Sequence, residues 1–252
     1  LYTTTCGQCG AEVDAQAFMW QRDALTPYAR KYACPHCGQE GEFATTDADI
    51  EKARRFSLGG PHRARALERV ASSGDPNRIH AEEALDTYLP RAVYALLNMI
   101  NKLDSIDLEA RESIYLQALL LAACDRGNNL WRIPKEHIRP KLLTTPPRFI
   151  EYNLWLALET AIPLWASGQP ATPLTYWPEG PPESGGICLY QGQVRDLTAQ
   201  LDQIPVGAMI TAIPRPNQAY WTLSALWAGW LWGREAIGPF VKVLRRLSLI
   251  HI

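Results

Sequence analysis

Three features of this 252-residue sequence predict an α/β chain with a metal-held N-terminus and a large helical middle. Two C-x-x-C pairs, Cys6-Gly-Gln-Cys9 and Cys34-Pro-His-Cys37, open it. Apolar residues then recur at helical spacing through much of 46–183. Near the C-terminus two strand-length apolar runs, Ile187 to Tyr190 and Ala208 to Ile213, are bounded by turn residues and followed by an aromatic-rich helical stretch. The expected divisions are a ribbon over 1–45, a helical insertion over 46–183 and a strand-bearing part over 184–246. In open α/β sheets ligands bind beyond the carboxyl ends of strands, which directs attention to the loop from Thr211 to Asn217.

The cysteines carry the most specific local signal. Two matched pairs separated by a hairpin-sized gap can place four thiolates around one tetrahedral zinc, with bonds of about 2.3 Å. Gly10 and Gly38 follow the pairs and permit the tight turn that aims backbone amides at the sulfurs. Val13 to Arg22 and Tyr28 to Ala33 read as strands around a loop, so Cys6, Cys9, Cys34 and Cys37 are expected to close a zinc ribbon. Two disulfides or a redox dithiol are the competing readings. An intracellular chain disfavours the first and the matched pairs disfavour the second. Four thiolates leave no position for a water, so the zinc is expected to be structural. His36 is expected to be exposed, and Cys124 and Cys188, in apolar runs, to be inert buried thiols.

From Thr45 the pattern turns helical. Thr46 or Asp47 suits the cap, Asp49 and Glu51 the first turn, and Arg54 and Arg55 the end before Gly59-Gly60, as the helix dipole favours. His62 to Ala71 and Ala81 to Tyr88 read as short helices around a Ser72 to Pro76 turn. Pro90 opens a longer helix bearing Val93, Leu96, Leu97, Met99, Ile100 and Leu103; a first-turn amide has no partner within the helix, so proline costs nothing there. Leu108 to Asn129 continues as another, with Ile114, Leu116, Leu119, Leu120, Ala123 and Cys124 near one stripe, and the two read as an antiparallel pair. Trp131 to Phe149 is irregular and basic, carrying Arg132, Lys135, Arg139, Lys141 and Arg148. Such a segment suits a phosphate backbone and unstacked bases, and equally an ordinary solvated loop. Tyr152 to Trp165 reads as an amphipathic helix and Gly168 to Gly186 as a proline-rich connector.

Composition sets wider bounds. With 47% apolar and 20% charged residues the chain is ordinary globular protein. It contains no run of about 18 apolar residues and no signal-like N-terminus, so a cytoplasmic protein without membrane contact is expected. A formal net charge of −1 supplies no global field for phosphate, and nucleic-acid contact would have to come from local basic clusters. Leu1 is not an initiator, and the last six residues, LSLIHI, read like the translation of a sequencing-adapter end. A gene fragment is therefore expected, with native sequence ending near Arg246 and an adapter tail over 247–252.

Between Gly186 and Leu231 the sequence resembles the zinc-ribbon-containing, S-adenosylmethionine-dependent adenine-specific DNA methylases. In that family a D-P-P-Y motif after an apolar strand is followed by a segment like Y-x-x-L-S-D-F-F-x-x-W-L. Here Tyr220, Leu223, Ser224, Leu226, Trp227, Trp230 and Leu231 stand at matching spacing. Leu89-Pro90-Arg91-Ala92-Val93-Tyr94-Ala95-Leu96 is similar to the family's T-P-R-x-L-x-A-L helix, in the right order after a ribbon. The resemblance implies a partial Rossmann-like class I methyltransferase, α/β in class, with an N-terminal zinc ribbon and a large helical insertion. It implies parallel pairing of Ile187 to Tyr190 with Ala208 to Ile213, through a crossover containing Asp196 to Leu201. Structural zinc, S-adenosylmethionine as cofactor and DNA as partner are implied with it.

The implied site departs from the family pattern. Ala212, Ile213, Pro214 and Arg215 occupy the catalytic D-P-P-Y positions, with Asn217 just beyond, and Gly192 and Gln193 occupy cofactor-binding positions, Gln193 in place of an acidic residue. In the family the Asp side chain and a backbone carbonyl accept hydrogen bonds from the target amino group, while the aromatic stacks on a flipped base. Ala212 offers no side-chain acceptor; Arg215 can stack through its guanidinium and Asn217 offers an amide. The family's Gly-rich cofactor loop is expected before Leu1. Three readings follow: a fragment of a DNA methyltransferase family protein with an altered motif, a non-catalytic nucleic-acid- or partner-binding module on that scaffold, or an unrelated zinc-ribbon protein with a helical body.

Overall fold

The computed structural model describes residues 1–56, 60–76, 78–134, 143–166, 172–198, 201, 207–208, 210 and 219–237. Among these, 1–165 with 219–237 form one compact mixed α/β unit, and the residues from 166 to 210 form another.

The first unit begins with four strands, β1 (Thr3–Thr5), β2 (Glu12–Gln21), β3 (Ala29–Ala33) and β4 (Glu40–Ala44), paired antiparallel in chain order. β2 is the long central strand, and its pairing with β3 slips between Ala15 and Ala17. A strand alternates faces with period two, so the one-residue slip exchanges them. Ahead of it Val13 packs with the cysteine-rich cluster and Ala15 with the main hydrophobic core; beyond it the even-numbered Phe18 and Trp20 join Ala15 in that core.

A fifth strand, β5 (Arg148–Tyr152), runs antiparallel along the far half of β2, with Ala17 opposite Tyr152 and Gln21 opposite Arg148. The sequence reading places 131–149 in an irregular segment, and this strand corrects it. Phe149 and Glu151 face inward on β5, both buried. β1 and β5 therefore share one edge of β2, and Asn153 joins them at the gap. Its backbone amide donates to Gln16 O (3.0 Å) and its side-chain amide to Ala15 O (3.0 Å), next to the Ala15 amide that donates to Tyr2 O (2.8 Å). The stretch after Trp131 covers the outer edge of β5, through Ile150 N to Trp131 O (2.8 Å) and Ile133 N to Arg148 O (3.1 Å).

The helices pack on the inner face of this sheet. α1 (Asp47–Arg54) starts at Thr46, whose hydroxyl accepts from the Asp49 amide while the Asp49 carboxylate accepts from the Thr46 amide, a reciprocal cap. α2 (Gly60–Glu68), α3 (Arg78–Leu85), α4 (Pro90–Asp104) and α5 (Ala110–Arg126) follow near the expected positions. On α4, Val93, Leu96, Leu97 and Ile100 are buried, as the periodicity predicts, whereas Met99 and Leu103 are half-buried. On α5 only Leu120, Ala123 and Cys124 are buried, whereas Ile114 is 63% exposed, so the predicted stripe docks only through its C-terminal half. α6 (Leu154–Trp165) is capped by Asn153, whose Oδ1 accepts from the Trp155 amide at 3.1 Å.

In the second unit β6 (Leu174–Tyr176) pairs in parallel with β7 (Ile187–Leu189), followed by the short α7 (Val194–Thr198). The sequence reading gives Ile187 to Tyr190 a different parallel partner, Ala208 to Ile213. The observed partner instead comes from the proline-rich stretch read as a connector. Ala208 and Ile210 lie in irregular backbone, and the rest of that run falls outside the described residues. The helix α8 (Ala219–Trp232) belongs to the first unit, where Leu223, Leu226, Trp227, Trp230 and Leu231 enter the main core. Trp227 Nε1 donates to Tyr88 Oη (2.6 Å) and Trp230 Nε1 to Ala66 O (3.0 Å). Gly229 lets α8 come this close: a β-carbon there would lie 2.9 Å from Val70 Cγ2.

Candidate metal centre

Each C-x-x-C pair forms the same backbone turn. In the first, Cys6 N donates to Ala11 O (2.8 Å) and Gly10 N to Cys6 O (3.0 Å). In the second, Cys34 N donates to Gln39 O (2.8 Å) and Gly38 N to Cys34 O (3.0 Å). Gly10 and Gly38 share φ +75°, a left-handed conformation that strains any residue with a β-carbon. The two turns meet face to face, bringing Cys6 Sγ to 3.6 Å from Cys37 Sγ and Cys9 Sγ to 3.7 Å from Cys34 Sγ. All four sulfurs lie within 4.8 Å of one another.

These distances are far beyond the roughly 2.0 Å of a disulfide. They match the edge of about 3.8 Å that four bonds of about 2.3 Å give a tetrahedron. The cluster can hold a metal ion, and soft sulfur donors in that arrangement suit zinc. Cys6 and Cys34 are buried, Cys37 is half-buried and Cys9 is exposed, and His36 is exposed as expected. Val13 and the fully buried Tyr32 back the sulfurs, and Tyr32 stacks on Phe43 with ring centres 4.8 Å apart.

The sulfurs strongly perturb one another. Burial opposes ionisation of Cys6, but amides of Cys9 and Gln8 and the neighbouring thiols outweigh it and hold Cys6 at about 6. At Cys37 the Gln39 amide favours the thiolate, yet burial and the other three sulfurs prevail and push it up to about 12. Adjacent anions repel, so all four sulfurs ionise together only around a cation.

Two buried ion pairs tie this sheet to the helices. Glu151 receives Arg91 Nε (2.8 Å), Arg91 Nη2 (2.6 Å) and Trp20 Nε1 (2.8 Å). Arg30 Nη1 reaches Asp49 Oδ2 at 2.9 Å beside Thr4 and Thr46.

The other expected site residues are placed as follows. Ala212, Ile213, Pro214, Arg215 and Asn217 lie outside the described residues. Gly192 and Gln193 are exposed in the turn before α7, with Tyr190 Oη donating to Gln193 O at 3.3 Å. Of the basic segment, Lys135, Arg139 and Lys141 fall outside the described residues, while Arg132 and Arg148 are exposed. At Trp131 the cation that contacts the ring is Arg126, missed from sequence. Its guanidinium lies 4.5 Å from the Trp131 ring centre and 5.2 Å from that of Tyr152. Cys124 is fully buried as expected, but Cys188 is only half-buried. Gln39, which hydrogen-bonds to Cys6, and Tyr32, which hydrogen-bonds to Gln39, were also missed; the signal available was that Gln39 repeats the position of Ala11, one residue past the turn glycine. No helix among the described residues is long and apolar enough to cross a membrane. Comparison with protein-family models, curated proteins and solved structures finds no match to this chain.

Proposed function

We propose that Cys6, Cys9, Cys34 and Cys37 hold a structural zinc, and that the chain is part of an S-adenosylmethionine-dependent methyltransferase acting on base amino groups in DNA. The observation that carries the metal assignment is the clustering of the four sulfurs, all within 4.8 Å of one another with separations of 3.6 and 3.7 Å between the turns. Zinc would supply a cross-link between the two turns, with no open coordination position for chemistry. Elemental analysis should find one zinc per chain, and Cys34→Ala should abolish it; protein that folds fully without metal overturns the assignment.

The methyltransferase reading rests on the resemblance along Tyr220 to Leu231 and Leu89 to Leu96. It is supported by the burial of Leu223, Leu226, Trp227, Trp230 and Leu231, the apolar positions of the first segment. With Ala212 lacking a side-chain acceptor, positioning of a target amino group is weaker by about 3 kcal/mol, the order that one oriented contact supplies. The whole protein is expected to transfer methyl groups slowly. The triple change Ala212→Asp, Ile213→Pro and Arg215→Tyr should raise radiolabelled methyl incorporation into DNA. A fast unaltered protein whose rate collapses in Asn217→Ala would make the present motif a working variant.

A second reading, a non-catalytic nucleic-acid- or partner-binding module, is favoured by the same Ala212. It prevails if neither form transfers methyl groups while both bind DNA. If neither binds DNA or S-adenosylmethionine, both readings fall.

A further inference from the structure

The two cysteine turns are alike in backbone but not in what surrounds their sulfurs. One residue beyond each turn glycine stands Ala11 in the first and Gln39 in the second. Only the second can reach across, and it does: Gln39 Oε1 lies 3.2 Å from Cys6 Sγ, in the opposite turn. The same oxygen accepts from Tyr32 Oη at 2.6 Å, and Tyr32 Oη accepts from Gly7 N at 2.9 Å. Gly7 follows Cys6 in the chain, so the ring of bonds closes: first turn, buried tyrosine, second turn, first-turn sulfur.

This ring has a direction that depends on one proton. As arranged, the Gln39 oxygen takes two donors, the Cys6 S–H and the Tyr32 O–H. That is the arrangement for a thiol. A metal-bound Cys6 is a thiolate and can only accept, which would set a carbonyl oxygen and an anionic sulfur 3.2 Å apart with no hydrogen between them. A half-turn of the Gln39 amide removes the conflict. Its Nε2–H then points at the sulfur. Tyr32 Oη would take hydrogens from Gly7 N and Gln39 Nε2.

We infer that Gln39 is a positioning residue for the metal centre, its side-chain amide donating to the Cys6 thiolate once metal is bound, and that Tyr32 fixes its place. The inference rests on the metal assignment above and adds a residue to it. It also gives the two turns separate roles: the second holds the first through Gln39, with no reciprocal contact available from Ala11.

The test uses the whole chain loaded with cadmium-113. A hydrogen bond from N–H to a cadmium-bound sulfur transmits a scalar coupling between that proton and the metal. The Gln8 and Cys9 amides, which donate to Cys6, provide the internal reference. A coupling at the Gln39 side-chain NH2 is the expected result, together with zinc affinity about 10- to 100-fold weaker in Gln39→Glu, which presents only acceptors to the thiolate. If the backbone couplings appear and the Gln39 coupling does not, or if Gln39→Glu binds zinc within twofold of the unaltered protein, the role of Gln39 is overturned while the metal centre stands. If cadmium does not bind at all, the metal assignment itself fails.

Discussion

Glu151 is buried on a strand whose neighbouring inward residue is Phe149, a place where an isolated carboxylate would cost several kcal/mol. It is tolerated because three donors converge on it, two from Arg91 and one from Trp20. Removing one partner leaves the other charged and dry, so Glu151→Ala should destabilise the protein by about 3–5 kcal/mol in urea titration. Arg91→Met combined with Glu151→Leu should recover most of that loss, because neither charge remains. A double variant as unstable as the single one would show that packing, not charge, sets the cost. Asp49 gives a matching pH prediction. Burial opposes its charge, but the Thr46 amide, the Thr4 and Thr46 hydroxyls and Arg30 outweigh it and keep the folded carboxyl below its ordinary range. The unfolded chain then binds more protons in acid than the folded one. The stabilisation is whole above the unfolded value of about 4 and drains away as pH falls through the lower folded value. The stability gap between the protein and Asp49→Asn should therefore narrow below about pH 4, and a gap that is constant with pH would contradict this.

At the scale of elements, Asn153 ties the middle of β2 to the start of α6. It closes the gap between β1 and β5 on β2 and also begins α6, two tasks met by opposite ends of one amide. Asn153→Ala leaves Ala15 O without its donor and α6 without its cap. The expected cost is about 2 kcal/mol, read as a lower urea midpoint with unchanged slope. The same element shows why β5 escapes sequence reading. Its five residues, Arg148–Tyr152, alternate correctly, but a glutamate occupies an inward position. α5 illustrates the opposite error: a complete apolar stripe is present, and half of it remains exposed among the described residues.

For the whole first unit the question is how far the metal's influence extends. The cysteine turns and Tyr32 form their own small cluster, while Phe18 and Trp20 of the same sheet belong to the core shared with α4 and α8. Chelation should therefore act locally. Hydrogen exchange should quicken at the amides of Cys6, Gly10, Cys34 and Gly38, with the β2–β5 ladder and the helices keeping their protection. Loss of protection throughout that ladder would mean that the metal holds the whole sheet. What the sequence by itself determined is what neighbouring residues can settle: the two cysteine turns with their glycines, the Thr46 cap, the start of α4 at Pro90 and the core stripe along it. Each depends on contacts within a few residues, and their pattern is written in the spacing. The tertiary structure alone decided the face exchange in β2, the joining of β5 to a strand some 130 positions earlier through pairs such as Trp20 and Glu151, and the approach of Gln39 to Cys6. A buried charge, a bulge and a side chain crossing between turns are stable only when a distant partner is in place, and no local spacing records that partner.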